Sequence, residues 1–153
     1  MSDLFLQFSA EITGYPASTL QGTGLVELYS KLVGDVLGPA LAPRFYAHAE
    51  AILSLGTPQA REQRITELIL HSPIFWPVTA NLIALWYLGL WTKLPDEWYQ
   101  AQGLGLPGPS DPGRTHVPSA SAYTEQLSYR TAGAHPPGAK PTGFQSWSVP
   151  PVF

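Results

Sequence analysis

Between Glu67 and Lys93 the chain carries no charged side chain, and a stretch of that length can be accommodated only in lipid or inside protein. Leu68 to Thr92 is long enough on paper to cross a bilayer, but Pro73, Pro77, His71 and Asn81 interrupt it. After Pro77 about 15 residues remain, about 22 Å of helix against a hydrocarbon core of roughly 30 Å. The expectation is a buried central helix and no transmembrane span. Its sequence, Pro77-Val-Thr-Ala-Asn-Leu-Ile-Ala-Leu-Trp-Tyr-Leu-Gly-Leu-Trp, is apolar almost all round, the pattern of a helix surrounded by others. Trp86, Tyr87 and Trp91 can each bury about 150–250 Å², more than one face of a five-helix domain needs to fill. These three are therefore expected to divide between the core and a partner interface.

Four further helices are read from spacing. Leu4, Phe5, Phe8 and Ile12 recur at intervals of three and four residues, with Asp3 as cap and Gly14 as left-handed stop. After a Thr/Gly-rich loop, Leu25, Leu28, Tyr29, Leu32, Val33 and Val36 form a second series ending near Gly38-Pro39. Leu41, Phe45, Ala49 and Ile52 place a third helix between Ala40 and Leu55. Thr57-Pro58 pairs a capping hydroxyl with proline at the first helical position and opens a fourth, carrying Ile65, Leu68 and Ile69. The fifth runs from about Pro77 to Thr92.

Beyond Gln102 the chain changes character. Nine of the sixteen prolines and seven of the fourteen glycines lie in residues 103–153, which rules out long helices there. Solvated tails are poor in aromatics and rich in charge, whereas this one carries Tyr123, Leu127, Tyr129, Phe144, Trp147, Val149 and Phe153 with only five charged residues. That combination describes an extended arm with anchors spaced along it. One helical pattern interrupts it, Ser119 to Arg130, with Ser121 as cap. The fold expected is all-α: a small bundle of about five helices over residues 1–102, followed by a mostly irregular Pro/Gly-rich arm over 103–153. The candidate interface residues are Trp86, Tyr87, Trp91, Tyr123, Tyr129, Phe144 and Trp147.

Charged residues make up 12% of the chain, about half the usual share of roughly 25%, which suggests an exterior covered by another protein. A net charge of −3 with scattered Lys and Arg offers nucleic acid no basic face. The absence of cysteine excludes disulfides, Cys-ligated zinc, iron–sulfur clusters and covalent c-type haem in this chain. His48, His71, His116 and His135 have no metal-ligand spacing. Glu11, Glu27, Asp35 and Glu50 fall on the polar faces of their helices rather than in one pocket. There is no Gly-x-Ser-x-Gly elbow. Gly103-Leu-Gly-Leu-Pro-Gly follows a helix where a dinucleotide fingerprint follows a strand, and its proline stands where that loop must enter a helix. No catalytic, cofactor-binding or metal-ligating residue is assigned.

Four segments occurring in order carry a family resemblance: Phe8-Ser-Ala-Glu-Ile-Thr-Gly14, Leu82-Ile-Ala-Leu-Trp-Tyr-Leu-Gly89, Tyr123-Thr-Glu-Gln-Leu-Ser-Tyr129 and Gly143-Phe-Gln-Ser-Trp147-Ser-Val-Pro-Pro151. Together they resemble the small subunit of bacterial membrane-bound FAD-dependent sorbitol dehydrogenases, related to the small subunits of fructose, glucose and gluconate dehydrogenases. The resemblance implies a non-catalytic accessory subunit that binds and stabilises a large glucose–methanol–choline (GMC) type flavoprotein. FAD would sit in that partner, with no cofactor in this chain, and a multihaem cytochrome c subunit would pass electrons onward. It also implies a role as maturation and export chaperone with a twin-arginine signal. No Arg-Arg precedes Phe8, and Met1-Ser-Asp-Leu-Phe-Leu-Gln-Phe lacks the basic and small-residue parts of a signal peptide. The expected compartment is therefore the periplasm, membrane-associated through the complex, if a signal has been removed, and the cytoplasm if none existed. Two other classes are weighed beside this: a membrane-attached helical interaction protein anchored by residues 68–92, and an enzyme of unrecognised fold.

Overall fold

The computed structural model describes residues 2–134 of the chain. The fold is all-α, as expected from the spacing. Its elements are α1 (Ser2–Thr13), α2 (Ala17–Gly22), α3 (Val26–Leu53), α4 (Pro58–Ile65) running into a π-helical turn (Thr66–Leu70), α5 (Phe75–Leu88), α6 (Asp96–Ala101), α7 (Ala120–Thr124) and α8 (Ser128–Thr131). Gly14 ends α1 with φ 73°, and its N–H reaches the Ala10 carbonyl at 3.0 Å, the left-handed stop the sequence predicts. Asp3 lies within the first turn of α1 rather than ahead of it. Thr57 caps α4 as expected, its hydroxyl accepting from the Ala60 N–H at 3.3 Å, with Pro58 at the first position.

The second and third predicted helices form one bent rod. Pro39 has no N–H to give and disfavours helical backbone at the residue before it. Gly38 accordingly takes φ 66°, ψ −179°, a conformation open almost only to glycine. The Thr/Gly-rich loop before this rod contains the six-residue α2, too short for periodicity to reveal. α5 begins at Phe75 and stops at Leu88, earlier than predicted, because Gly89 turns left-handed at φ 65°.

The core sits among α1, α3 and α5. Phe8 and Phe45 meet edge to face at 5.5 Å, Phe45 continues to Phe75 at 5.9 Å, and Tyr29 packs edge-on against Trp86 at 4.7 Å. α6, which spacing alone does not reveal, adds buried Trp98 and Tyr99. The expected boundary at residue 102 is crossed by contacts. Leu127 and Ala122 are buried with the helices, Trp91 and His116 exchange backbone hydrogen bonds at 3.0 Å, and the Tyr99 hydroxyl donates to the Gly113 carbonyl at 3.3 Å. Parts of residues 103–134 thus contact the chain's own helices, and the rest of the expected partner-wrapping arm lies outside the described residues. Phe144 and Trp147 lie outside the described residues.

Candidate partner interface

The C-terminal end of α5 organises the region where most of the expected interface residues fall. The last carbonyls of a helix lack intrahelical donors and must find others. Here the Leu85 carbonyl accepts from the Tyr29 hydroxyl at 3.2 Å and from Gly89 N–H at 2.9 Å, while the Trp86 carbonyl accepts Leu127 N–H at 3.0 Å. Asn81, which reads in the sequence only as an interruption of an apolar run, donates to the Thr92 carbonyl at 2.7 Å and accepts Thr92 N–H at 3.1 Å. This clasp fixes the turn from α5 into the following segment. Gly89 lets α7 close in: a Cβ there would lie 2.2 Å from the Ala122 carbonyl oxygen. α7 is capped by Ser119, whose hydroxyl accepts Ala122 N–H at 3.0 Å, and not by Ser121.

Trp86 and Trp91 prove to be core residues, with 1% and 0% of their surface exposed. Trp91 follows the clasped turn and pairs its backbone with His116. Both indoles, expected to divide between core and interface, are enclosed within the chain itself. Among the described residues neither indole N–H has a hydrogen-bond acceptor, so volume and ring contact are what these positions use. Tyr87 is half-buried: its ring packs on Tyr15 at 6.0 Å and its hydroxyl donates to the Thr13 carbonyl at 2.8 Å. Burial, and then the nearby Tyr15, push the Tyr87 hydroxyl above its ordinary pKa. Tyr15 in turn meets the Thr131 hydroxyl at 2.9 Å. Since Thr131 gives its proton to the Leu127 carbonyl at 3.0 Å, Tyr15 is the donor, and it ties α8 to the α1–α2 loop.

Tyr123 stands apart from these, with 50% of its surface exposed on α7. Tyr129 on α8 is half-buried, and burial, then the nearby Tyr123, push its hydroxyl above the ordinary tyrosine pKa. Leu88 and Val117, absent from the expected set, are likewise exposed beside the two points where the segment docks, Gly89 and the Trp91–His116 bridge. A leucine closing an apolar run and a valine between His and Pro carry no sequence signal that separates them from core residues.

Elsewhere, the concave side of the α3 bend holds a cavity of about 630 Å³ lined by Ser30, Gly34, Pro39, Ala42, Pro43 and Tyr46 among others. Its hydroxyls are paired, Ser30 with Tyr46 at 3.2 Å, and Asp35 on its rim pairs with Lys31. Of the other carboxylates considered from the sequence, Glu27 lines the same cavity and accepts from Ser2 at 2.9 Å, while Glu11 pairs with Arg61 at 3.1 Å. His48 lies edge-on to Phe75 at 5.1 Å, and burial, then Arg44, lower its pKa. Among the described residues no three His, Cys, Asp or Glu side chains converge as metal ligands. No protein-family model matches the chain, and no match was found among the curated proteins or the solved structures.

Proposed function

We propose that the chain is a non-catalytic accessory subunit of an FAD-dependent sugar or polyol dehydrogenase, binding and stabilising a large GMC-type flavoprotein and assisting its maturation. The order of four sequence segments motivates the reading, and the observation that carries it is the half-exposed Tyr123 on α7. Exposed aromatics are frequent anchors of protein interfaces, and an anchor already held in place loses little entropy on docking. Tyr123 rides on α7, which closes on Gly89 and is capped by Ser119, and Tyr15 ties the following α8 to the α1–α2 loop. A partner that binds only when folded is stabilised by mass action. The maturation role, a cytochrome c subunit and a periplasmic location belong to the same proposal.

Coexpression with a GMC-type flavoprotein, affinity capture and flavin absorbance of the captured material test the reading. The expected result is a stoichiometric complex with FAD bound to the large subunit. Tyr123→Ala should weaken capture by at least about tenfold, as loss of an interface anchor does, while the melt of the free subunit stays unchanged. Failure of any such flavoprotein to be captured, at concentrations where both partners are folded, would sink it.

A further inference from the structure

The bend of α3 builds a site as well as a shape. Before the bend, Glu27, Ser30, Lys31 and Gly34 stand at helical spacings of three and four and so share one face; after it, Pro39, Ala42, Pro43 and Tyr46 repeat the same spacing. Both sets line the cavity of about 630 Å³, within the roughly 300–1,000 Å³ of pockets that hold small molecules. Other faces of the two halves are fixed in the core, since Val33, Val36 and Leu37 are buried on one side of Gly38 and Leu41, Phe45 and Ala49 on the other. The Ser30 and Tyr46 hydroxyls meet across the bend at 3.2 Å. The two walls are therefore held at a set angle by the fold itself, the preorganisation that lowers the cost of binding.

The polar lining is rich in acceptors and short of donors. Pro39 and Pro43 have no N–H, so the carbonyls of Asp35 and Pro39, four residues before each, lose the donor a helix would supply. Among the described residues no donor from outside the helix reaches either. Ser30 and Tyr46 share one hydrogen bond, which leaves lone pairs on both oxygens. Of the charged side chains, Lys31 is taken up by Asp35, whereas Glu27 meets the Ser2 hydroxyl at 2.9 Å and, among the described residues, pairs with no cation. Two carboxylates against one ammonium leave the lining negative. Groups that accept call for a ligand that donates, and a primary ammonium has three N–H donors, no acceptor and the opposite charge. We infer that the concave side of α3 binds a small primary amine, in its ammonium form, carried on a compact apolar body. The ammonium lies between Glu27 and the Ser30–Tyr46 pair, and the body rests against Ala42, Pro39 and Pro43, with Gly34 leaving room for it. The inference does not depend on the flavoprotein reading, because Tyr123 is no part of this cavity.

Amide chemical shifts of the isotopically labelled full chain test this, with 2-phenylethylamine, the neutral 2-phenylethanol and the anionic 3-phenylpropionate as probes of nearly one shape. The amine should give saturable shifts confined to residues 27–46. It should bind at least about threefold more tightly than the alcohol, the worth of one exposed charge pair, and the acid should bind most weakly. Raising the salt concentration should shrink the preference for the amine. Glu27→Gln should abolish that preference while the alcohol still binds and the melt stays unchanged. No saturation by about 10 mM, saturable shifts centred elsewhere, or equal binding of amine and acid would overturn the inference. So would a preference for the amine that survives Glu27→Gln or high salt.

Discussion

At its C-terminal end α5 receives the Tyr29 hydroxyl, Gly89 N–H and Leu127 N–H on its carbonyls, and its Asn81 side chain clasps Thr92, whereas at its N-terminal end two apolar side chains, Leu70 and Trp76, stand in the open. The difference follows from what each end must satisfy. Terminal carbonyls near Leu127 and the buried Trp86 cannot be left to water, so specific donors have to be brought to them, and two of these, the Tyr29 hydroxyl and Leu127 N–H, come from remote parts of the chain. The other end needs little: Ser72 supplies an acceptor locally, and Trp98 braces the turn from below. One end of the same helix therefore organises the fold, and the other makes few demands on it.

The sharpest way to break this contrast is to compare the two tryptophans. Trp86→Ala should cost about 3–5 kcal/mol of stability, as removal of a large buried aromatic does, while Trp76→Ala should fall within about 0.5 kcal/mol of the parent. Urea denaturation measures both, and equal midpoints would show that the ends are not differently packed. Gly89→Ala comes next. It places a Cβ 2.2 Å from the Ala122 carbonyl oxygen at a positive φ, so strain and overpacking together should cost about 2–4 kcal/mol. Amide exchange should then rise across residues 117–131 before the rest of the chain; a uniform rise would mean that α7 is not held through Gly89.

Tyr29→Phe should be milder, about 1 kcal/mol, since it removes one hydroxyl donor and leaves the ring against Trp86. Burial holds the Tyr29 hydroxyl well above the ordinary tyrosine pKa, so it stays protonated and able to donate into the alkaline range. The smallest effect belongs to the N-terminal end. His48, edge-on to Phe75, has its pKa lowered by burial and then by Arg44. The unfolded chain therefore binds more protons than the folded one as pH drops below the ordinary imidazole value near 6.5, and stability should decline there until the folded form also protonates. His48→Gln should flatten the thermal-melt profile between about pH 7.5 and 5.5. An unchanged slope would place the pH dependence elsewhere.

Several parts of this architecture are written locally. Gly14, Thr57-Pro58 and Gly38-Pro39 act through their own backbone, so their caps, stop and bend can be read without knowing the fold. The all-round apolar α5 likewise announces that it will be surrounded. What surrounds it is not written there. α2 and α6 are six residues each, too short for a periodic signal, and α7 is capped by Ser119 where the sequence suggested Ser121. Tyr123 and Trp91 look alike as aromatics available to a partner, yet one is half exposed and the other is fully buried. Only tertiary structure separates them, because burial depends on which distant backbone donors come to rest on the end of α5. A linear sequence holds those donors 41 or more residues away, with nothing local to mark the meeting of Tyr29 with Leu85 or Leu127 with Trp86.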